Sequence, residues 1–272
     1  MMKNILILLL FITCTNSALT KSILDGLEKS YQSNKHNDLK EYLDGLRDQS
    51  TKKIQYRSQN LINREICSDY FESKYELEQS TLKEGTTGSY SVDRFTIRLI
   101  HLKNKILYYR IEEIKHEKNL IDKWVKVPHL VKEKRNTRAY ENLEKTYLTI
   151  YPDSLNFEDL FVNNIAYGSN CGIGGQDPEY RKKLNLLIEK KDKKTLLKWL
   201  SCATTELQLY AIEGILDLSR KGIRFKDDSY DLIKRISKKK GDVYTCSGCT
   251  HWNRPIHETV KAIFVMYGFR DT

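Results

Sequence analysis

Residues 95–111 read Phe-Thr-Ile-Arg-Leu-Ile-His-Leu-Lys-Asn-Lys-Ile-Leu-Tyr-Tyr-Arg-Ile, and this stretch decides the fold class. Phe95, Ile97 and Leu99 alternate with Thr96 and Arg98. Leu107, Tyr109 and Ile111 alternate with Tyr108 and Arg110. A period of two sends successive side chains to opposite faces of a strand. β-branched and aromatic residues suit such a surface. Lys103-Asn104-Lys105 sits between the two runs as a turn. The stretch therefore predicts an antiparallel β-hairpin over about 90–111. Trp124-Val125-Lys126-Val127 predicts a third strand, which Pro128 stops. A lone hairpin is marginal in water, so helices must cover it.

The period is different on both sides of this stretch. Before it, Ile23, Leu24 and Leu27, then Leu39, Tyr42, Leu43 and Leu46, fall at helical spacing. Asn34 to Asn37 separates the two sets, which predicts a helical hairpin. Leu61, Ile62, Ile66, Tyr70 and Phe71 predict a further helix, and the loop Gly85-Thr86-Thr87-Gly88 closes the region. After it, Tyr140, Leu143 and Tyr147 predict a helix over 129–150, ended by Pro152. Helices separated by short loops then continue to the C-terminus. The expected fold class is α+β: a helical N-terminal region with a small antiparallel sheet, then an α-helical C-terminal domain. The expected boundaries are 1–18 for an export signal, 19–150 for the α+β domain and 151–272 for the helical domain.

Residues 196–223, LLKWLSCATTELQLYAIEGILDLSRKGI, give a short helix, a tight turn and a longer helix with small residues at Ala211 and Gly214. This stretch resembles a HEAT-like helical unit, and the resemblance extends over roughly Pro178 to Tyr267 as two or three units. It implies a binding or scaffolding surface rather than catalysis.

The N-terminus predicts where the protein works. Lys3 precedes the apolar run Ile5 to Ile12, and small polar residues, Thr13 to Ala18, follow. A positive start, an apolar run of about 7–15 residues and a small-residue cleavage site make an export signal. The run is well short of the roughly 20 apolar residues a membrane span needs. Cleavage after Ser17 leaves small residues, Thr15 and Ser17, at the recognised positions. A second route cuts before Cys14 and attaches lipid to its thiol. The residues before Cys14 resemble the bacterial lipobox, from which Phe11 and Thr13 depart. The expected location is extracytoplasmic: periplasmic, secreted or lipid-anchored. Membrane contact is expected only through lipid on Cys14.

The chain carries a net charge of +10. Residues 181–240 alone hold 17 basic and 8 acidic residues. Such a surface attracts anionic partners. Lys190, Lys191, Lys193, Lys194 and Lys238 to Lys240 also sit where helices should end, and cations are favoured there. No nucleic-acid-binding module is present, and nucleic acid is not an expected partner.

The six cysteines include Cys14. Export permits disulfides. Cys171, Cys202, Cys246 and Cys249 are the disulfide candidates. Cys246-Ser247-Gly248-Cys249-Thr250-His251, with His257 beyond it, has three readings: a disulfide loop, a zinc site formed by Cys246, Cys249, His251 and His257, or a thiol-redox pair. The close spacing of Cys249 and His251 suits a single tetrahedral ion poorly. Gly168 to Gly175 surrounds Cys171 with glycines. It lacks the Lys-Ser/Thr ending of a phosphate loop, and residues 157–166 before it read as helix. A bond from Cys171 to Cys246, Cys249 or Cys202 would staple this loop to the C-terminal helices. His36, His101, His116 and His129 read as isolated surface or strand residues. No catalytic residue and no cofactor is expected.

The expected function is non-enzymatic binding or scaffolding outside the cytosol, toward a protein or an anionic surface. A metal- or thiol-dependent protein using Cys171, Cys246 and Cys249 is the alternative from a different class. A protective partner of a secreted toxin is a third.

Overall fold

The computed structural model of the protein describes residues 18–33, 35–119, 121–171 and 174–269. The export signal and Cys14 lie outside the described residues, apart from Ala18.

Two helices lead the chain, α1 (Ala18–Ser33) and α2 (His36–Gly45), followed by a 3-10 turn (Leu46–Gln49). Five long strands follow: β1 (Ile54–Cys67), β2 (Tyr70–Leu82), β3 (Tyr90–Leu102), β4 (Lys105–Lys118) and β5 (Trp124–Arg135). They form an antiparallel meander in the order β1-β2-β3-β4-β5. Tyr75, Ile97 and Ile111 lie side by side across β2, β3 and β4. Because the side-chain period is two, Leu77, Phe95, Leu99 and Tyr109 share their face. Leu19, Ile23 and Leu27 of α1 and Leu39 and Leu43 of α2 cover it to form the first core. Burying each such side chain is worth about 1.5–3 kcal/mol.

The expected fold class needs correcting here. The sheet is not a small hairpin with one extra strand. It has five strands over residues 54–135 and makes up most of the N-terminal half. Residues 61–71, expected to be helical, are the end of β1 and the start of β2. Two features conceal their alternation. The register slips between Asn60 and Ile62 and again between Glu65 and Cys67, and each slip shifts the apolar residues out of phase. The connecting turn, Ser68-Asp69, has both residues at positive φ, 42° and 66°, so the glycine that usually marks such a turn is missing. Pro128 does not end β5. It pairs with Ile114 inside a strand that runs on to Arg135. As an edge strand, β5 can accept a proline. The helix expected over 129–150 begins only at Thr137.

After α3 (Thr137–Leu148), capped by the Asn136 side chain accepting from the Ala139 amide, the chain builds a second core. Its helices are α4 (Glu179–Glu189), α5 (Lys193–Ser201), α6 (Thr205–Arg220), α7 (Asp227–Ile236) and α8 (Ile256–Tyr267). Helix α6 is buried on nearly every side, through Leu209, Tyr210, Ile212, Ile215 and Leu216. Gly214 allows its neighbours close: a Cβ there would lie 2.7 Å from Leu196 Cδ2 and 2.8 Å from Leu184 Cδ1.

The C-terminal half is not purely helical either. It holds a second sheet of β6 (Tyr167–Cys171), β7 (Asp242–Gly248) and β8 (Thr250–Pro255), in the order β6-β7-β8. β6 runs parallel to β7, and β8 antiparallel to it. Residues 157–166, expected to be helical, contain just a short 3-10 turn (Phe157–Asp159) before β6.

Candidate binding groove

The second face of the five-stranded sheet is organised in transverse rows. The first row, Arg64, Glu72, Ile100 and Tyr108, is set by register and is covered by the C-terminal half. Tyr108 meets Phe157 and Phe161. Arg64 is buried, at 1% exposure. Its Nε donates to Glu72 Oε1 at 2.6 Å, its Nη1 to both Glu206 oxygens at 2.7 Å, and its Nη2 to the Val162 carbonyl at 3.2 Å. Glu72 also accepts from the Phe161 amide, and Glu206 from the Tyr244 amide at 3.2 Å. Burial alone would lower the guanidinium pKa, but Glu206 and Glu72 outweigh it and raise it. Lys239 is buried beside this cluster and donates to Thr205 and Gln208. Burial, and then the Arg64 charge, bring its pKa down to about 8. This cluster is a buried joint between the two halves.

Two residues further along each strand, the second face is open. Lys74, Arg98 and Arg110 form the next row across β2, β3 and β4. Glu76, Thr96 and Glu112 form the one after. Over these rows lies a groove of about 440 Å³, reaching from Arg57 and Gln59 on β1 to Lys126 and Pro128 on β5. Glu112 is buried beneath it. It sits 2.7 Å from Arg110 Nη2 and 3.2 Å from Arg98 Nη2. The Arg98 Nε is buried without a hydrogen-bond partner. Lys74 is 8% exposed and donates to the neutral Asn163 Oδ1 at 2.8 Å. Burial, then the Arg98 charge, hold its ammonium below the usual lysine range. Ile114 and Pro128 contribute apolar surface to the same lining. Such a surface is suited to holding a ligand. Glu78 is tied to Arg94, and Glu112 to Arg98 and Arg110.

The residues singled out from sequence lie elsewhere. Cys171 and Cys246 form a disulfide, with Cα atoms 5.7 Å apart, which joins β6 to β7. Cys249 lies outside that bond, exposed in the turn from β7 to β8. Cys202 is half-buried and directs its thiol to the Trp199 carbonyl at 3.0 Å. Burial pushes the Cys202 and Cys67 thiols up to about 12, where they are poor nucleophiles. The His251 ring stacks on Tyr244, and His257 is exposed on α8. Among the described residues, no three His, Cys, Asp or Glu side chains are grouped to hold a metal ion.

The basic stretch 181–240 is not one surface. Arg181 chelates Glu213 against α6, Lys239 is buried and Lys240 pairs with Asp69 at 2.7 Å. Lys193 and Lys194 open α5 rather than closing a helix.

Two histidines read as isolated are in fact paired. His36 and His101 stack at 3.8 Å between ring centroids, and Phe71 lies on the far side of His101. Sequence reading also passed over the groove residues. Their signal was the strict alternation Lys74-Tyr75-Glu76-Leu77-Glu78, which places the charges on one strand face.

Comparison with protein-family models, curated proteins and solved structures gives no match.

Proposed function

We propose that this is an exported, non-enzymatic binding protein, and that the groove over the open sheet face is its binding surface. The observation that carries this reading is the contrast between the two faces. One is sealed by α1 and α2; the other presents a groove of about 440 Å³ lined by both charged and apolar side chains. Pockets of about 300–1,000 Å³ with a few placed polar groups are the usual form of a ligand site. Export is supported by the Cys171–Cys246 disulfide, which fits an oxidising compartment, and by the leader sequence. Among the described residues, no helix is long and apolar enough to cross a membrane.

Site-specific photo-cross-linking in an exporting host tests the reading. A photoreactive residue is placed at Gln59, in the groove, and separately at Lys194, exposed at the start of α5. A discrete adduct from position 59 and none from 194 is expected. Equal labelling from both positions, or none from 59, would overturn the groove assignment. Intact mass of the exported chain tests the rest. Loss of the leader, and two cysteines that alkylate only after reduction, are expected. A zinc-mass adduct that disappears on denaturation would return the metal reading to first place.

A further inference from the structure

We infer that the groove takes an acidic polypeptide segment, one whose carboxylates alternate with apolar side chains. This rests on the binding reading above and names the partner class for that site.

The charge count in the lining favours an anion. Arg57, Lys74, Arg94, Arg98 and Lys126 face the groove, against Glu76 and Glu78. Glu78 is already bound to Arg94 Nε at 2.9 Å. The row Lys74, Arg98, Arg110 sets three cations directly opposite one another across neighbouring strands, an arrangement that is destabilising by itself. One buried carboxylate, Glu112, serves two of them. Lys74 has a neutral partner and Arg98 keeps a buried, unpartnered Nε–H. A carboxylate arriving from solvent would pair with the Arg98 side chain, which is 30% exposed, and relieve the row. Charge-assisted bonds of this kind are about twice as strong as neutral ones.

The apolar part of the lining selects among anions. Ile114 and Pro128 lie beside the cations. Inorganic phosphate or a sulfated glycan would use the charges and leave these two against water. An extended peptide presents both kinds of side chain at the spacing of a strand, matching a lining built from strands. Lys126 and Arg57 are exposed at the two sides of the groove, where they would attract an acidic chain before it docks.

The test is fluorescence anisotropy of the full exported chain with a short labelled peptide alternating Glu and Leu. Its Gln-Leu counterpart, heparin and inorganic phosphate are the comparisons. Saturable binding of the Glu-Leu peptide is expected, weakened about tenfold by Arg98→Gln, the loss of one charge-assisted contact. Arg98 touches buried Glu112, so Lys126→Gln provides a second variant at an exposed position; it should slow association and weaken binding several-fold, more so at low salt. Lys194→Gln should change nothing. No saturable binding, equal binding of the Gln-Leu peptide, or tighter binding of heparin or phosphate would each overturn the inference. If the cross-linker at position 59 still captures a partner while the peptide fails, the acidic-peptide assignment falls and the groove stands. If both fail, both fall.

Discussion

The two sheets of this molecule hold their strands in different ways. The five-stranded sheet joins each strand to the next by a short connection, so every pairing is between sequence neighbours. Its strands are 12–14 residues long. The three-stranded sheet pairs β6 with β7 in parallel, across the α4–α7 helices, with strands of 5 and 7 residues. Closing that long loop carries an entropy cost that a few backbone bonds barely offset. The Cys171–Cys246 disulfide, spanning 75 residues, lies at this pairing. The difference teaches that local pairings need only a good face, whereas the remote pairing is pinned covalently.

Removing the link between the sheets should have the largest effect. Glu206 accepts from Arg64 of the first sheet and from the Tyr244 amide of the second. Glu206→Gln leaves Arg64 buried with half its compensation, and should cost about 3–5 kcal/mol. A urea melt should show a lower midpoint, with both sheets affected together.

The disulfide separates the sheets more cleanly. Cys171→Ser with Cys246→Ser should cost about 2–4 kcal/mol. Hydrogen exchange should speed up at Tyr167 and Thr245 in the second sheet and leave Ile97 and Ile111 in the first unchanged. Loss of protection at all four would mean that the two sheets form one cooperative unit.

Acid should act from the other side. Burial, followed by the His101 charge, brings His36 down to about 3, and burial brings His101 down to about 4. Both ordinary values are 6.5. Between these limits the unfolded chain binds more protons than the folded one, so stability falls as pH drops from about 6.5 towards 4. The full effect of one neutral imidazole at pH 5 is about 2 kcal/mol. The charged groups facing the pair include Lys40, which adds to the repulsion. Urea melts at pH 7 and pH 5 should differ accordingly, and His36→Phe, which keeps a stacked ring, should roughly halve the difference. An unchanged slope would show that the pair titrates outside this window.

Legibility in the sequence followed the regularity of the elements. The hairpin of Phe95 to Ile111 was readable because its alternation runs unbroken into a covered face. Helices α1, α2 and α3 were readable from apolar stripes, and the α5–α6 pair from residues 196–223. β1 was not, because two register slips disrupt its period. β2 was not, because its second face buries Glu72 and Lys74, which count as polar in any pattern. β6 to β8 were too short to show a period at all. For the site, the sequence indicated cysteines and histidines, whose chemistry is recognisable by type. The groove is built from Arg, Lys and Glu on strands, and their meaning depends on which residues lie opposite, a property of register rather than of composition.

Pro128 carries one more consequence. It lies within β5, at the edge of the larger sheet, where a bare strand would offer its amides to any other chain in extended conformation. Proline has no amide hydrogen to offer. Lys126, Lys132 and Lys134 on the same strand add like-charge repulsion between copies. The border beside the groove is thus closed to sheet-by-sheet polymerisation. Extended chains can meet that border without being built onto it as further strands.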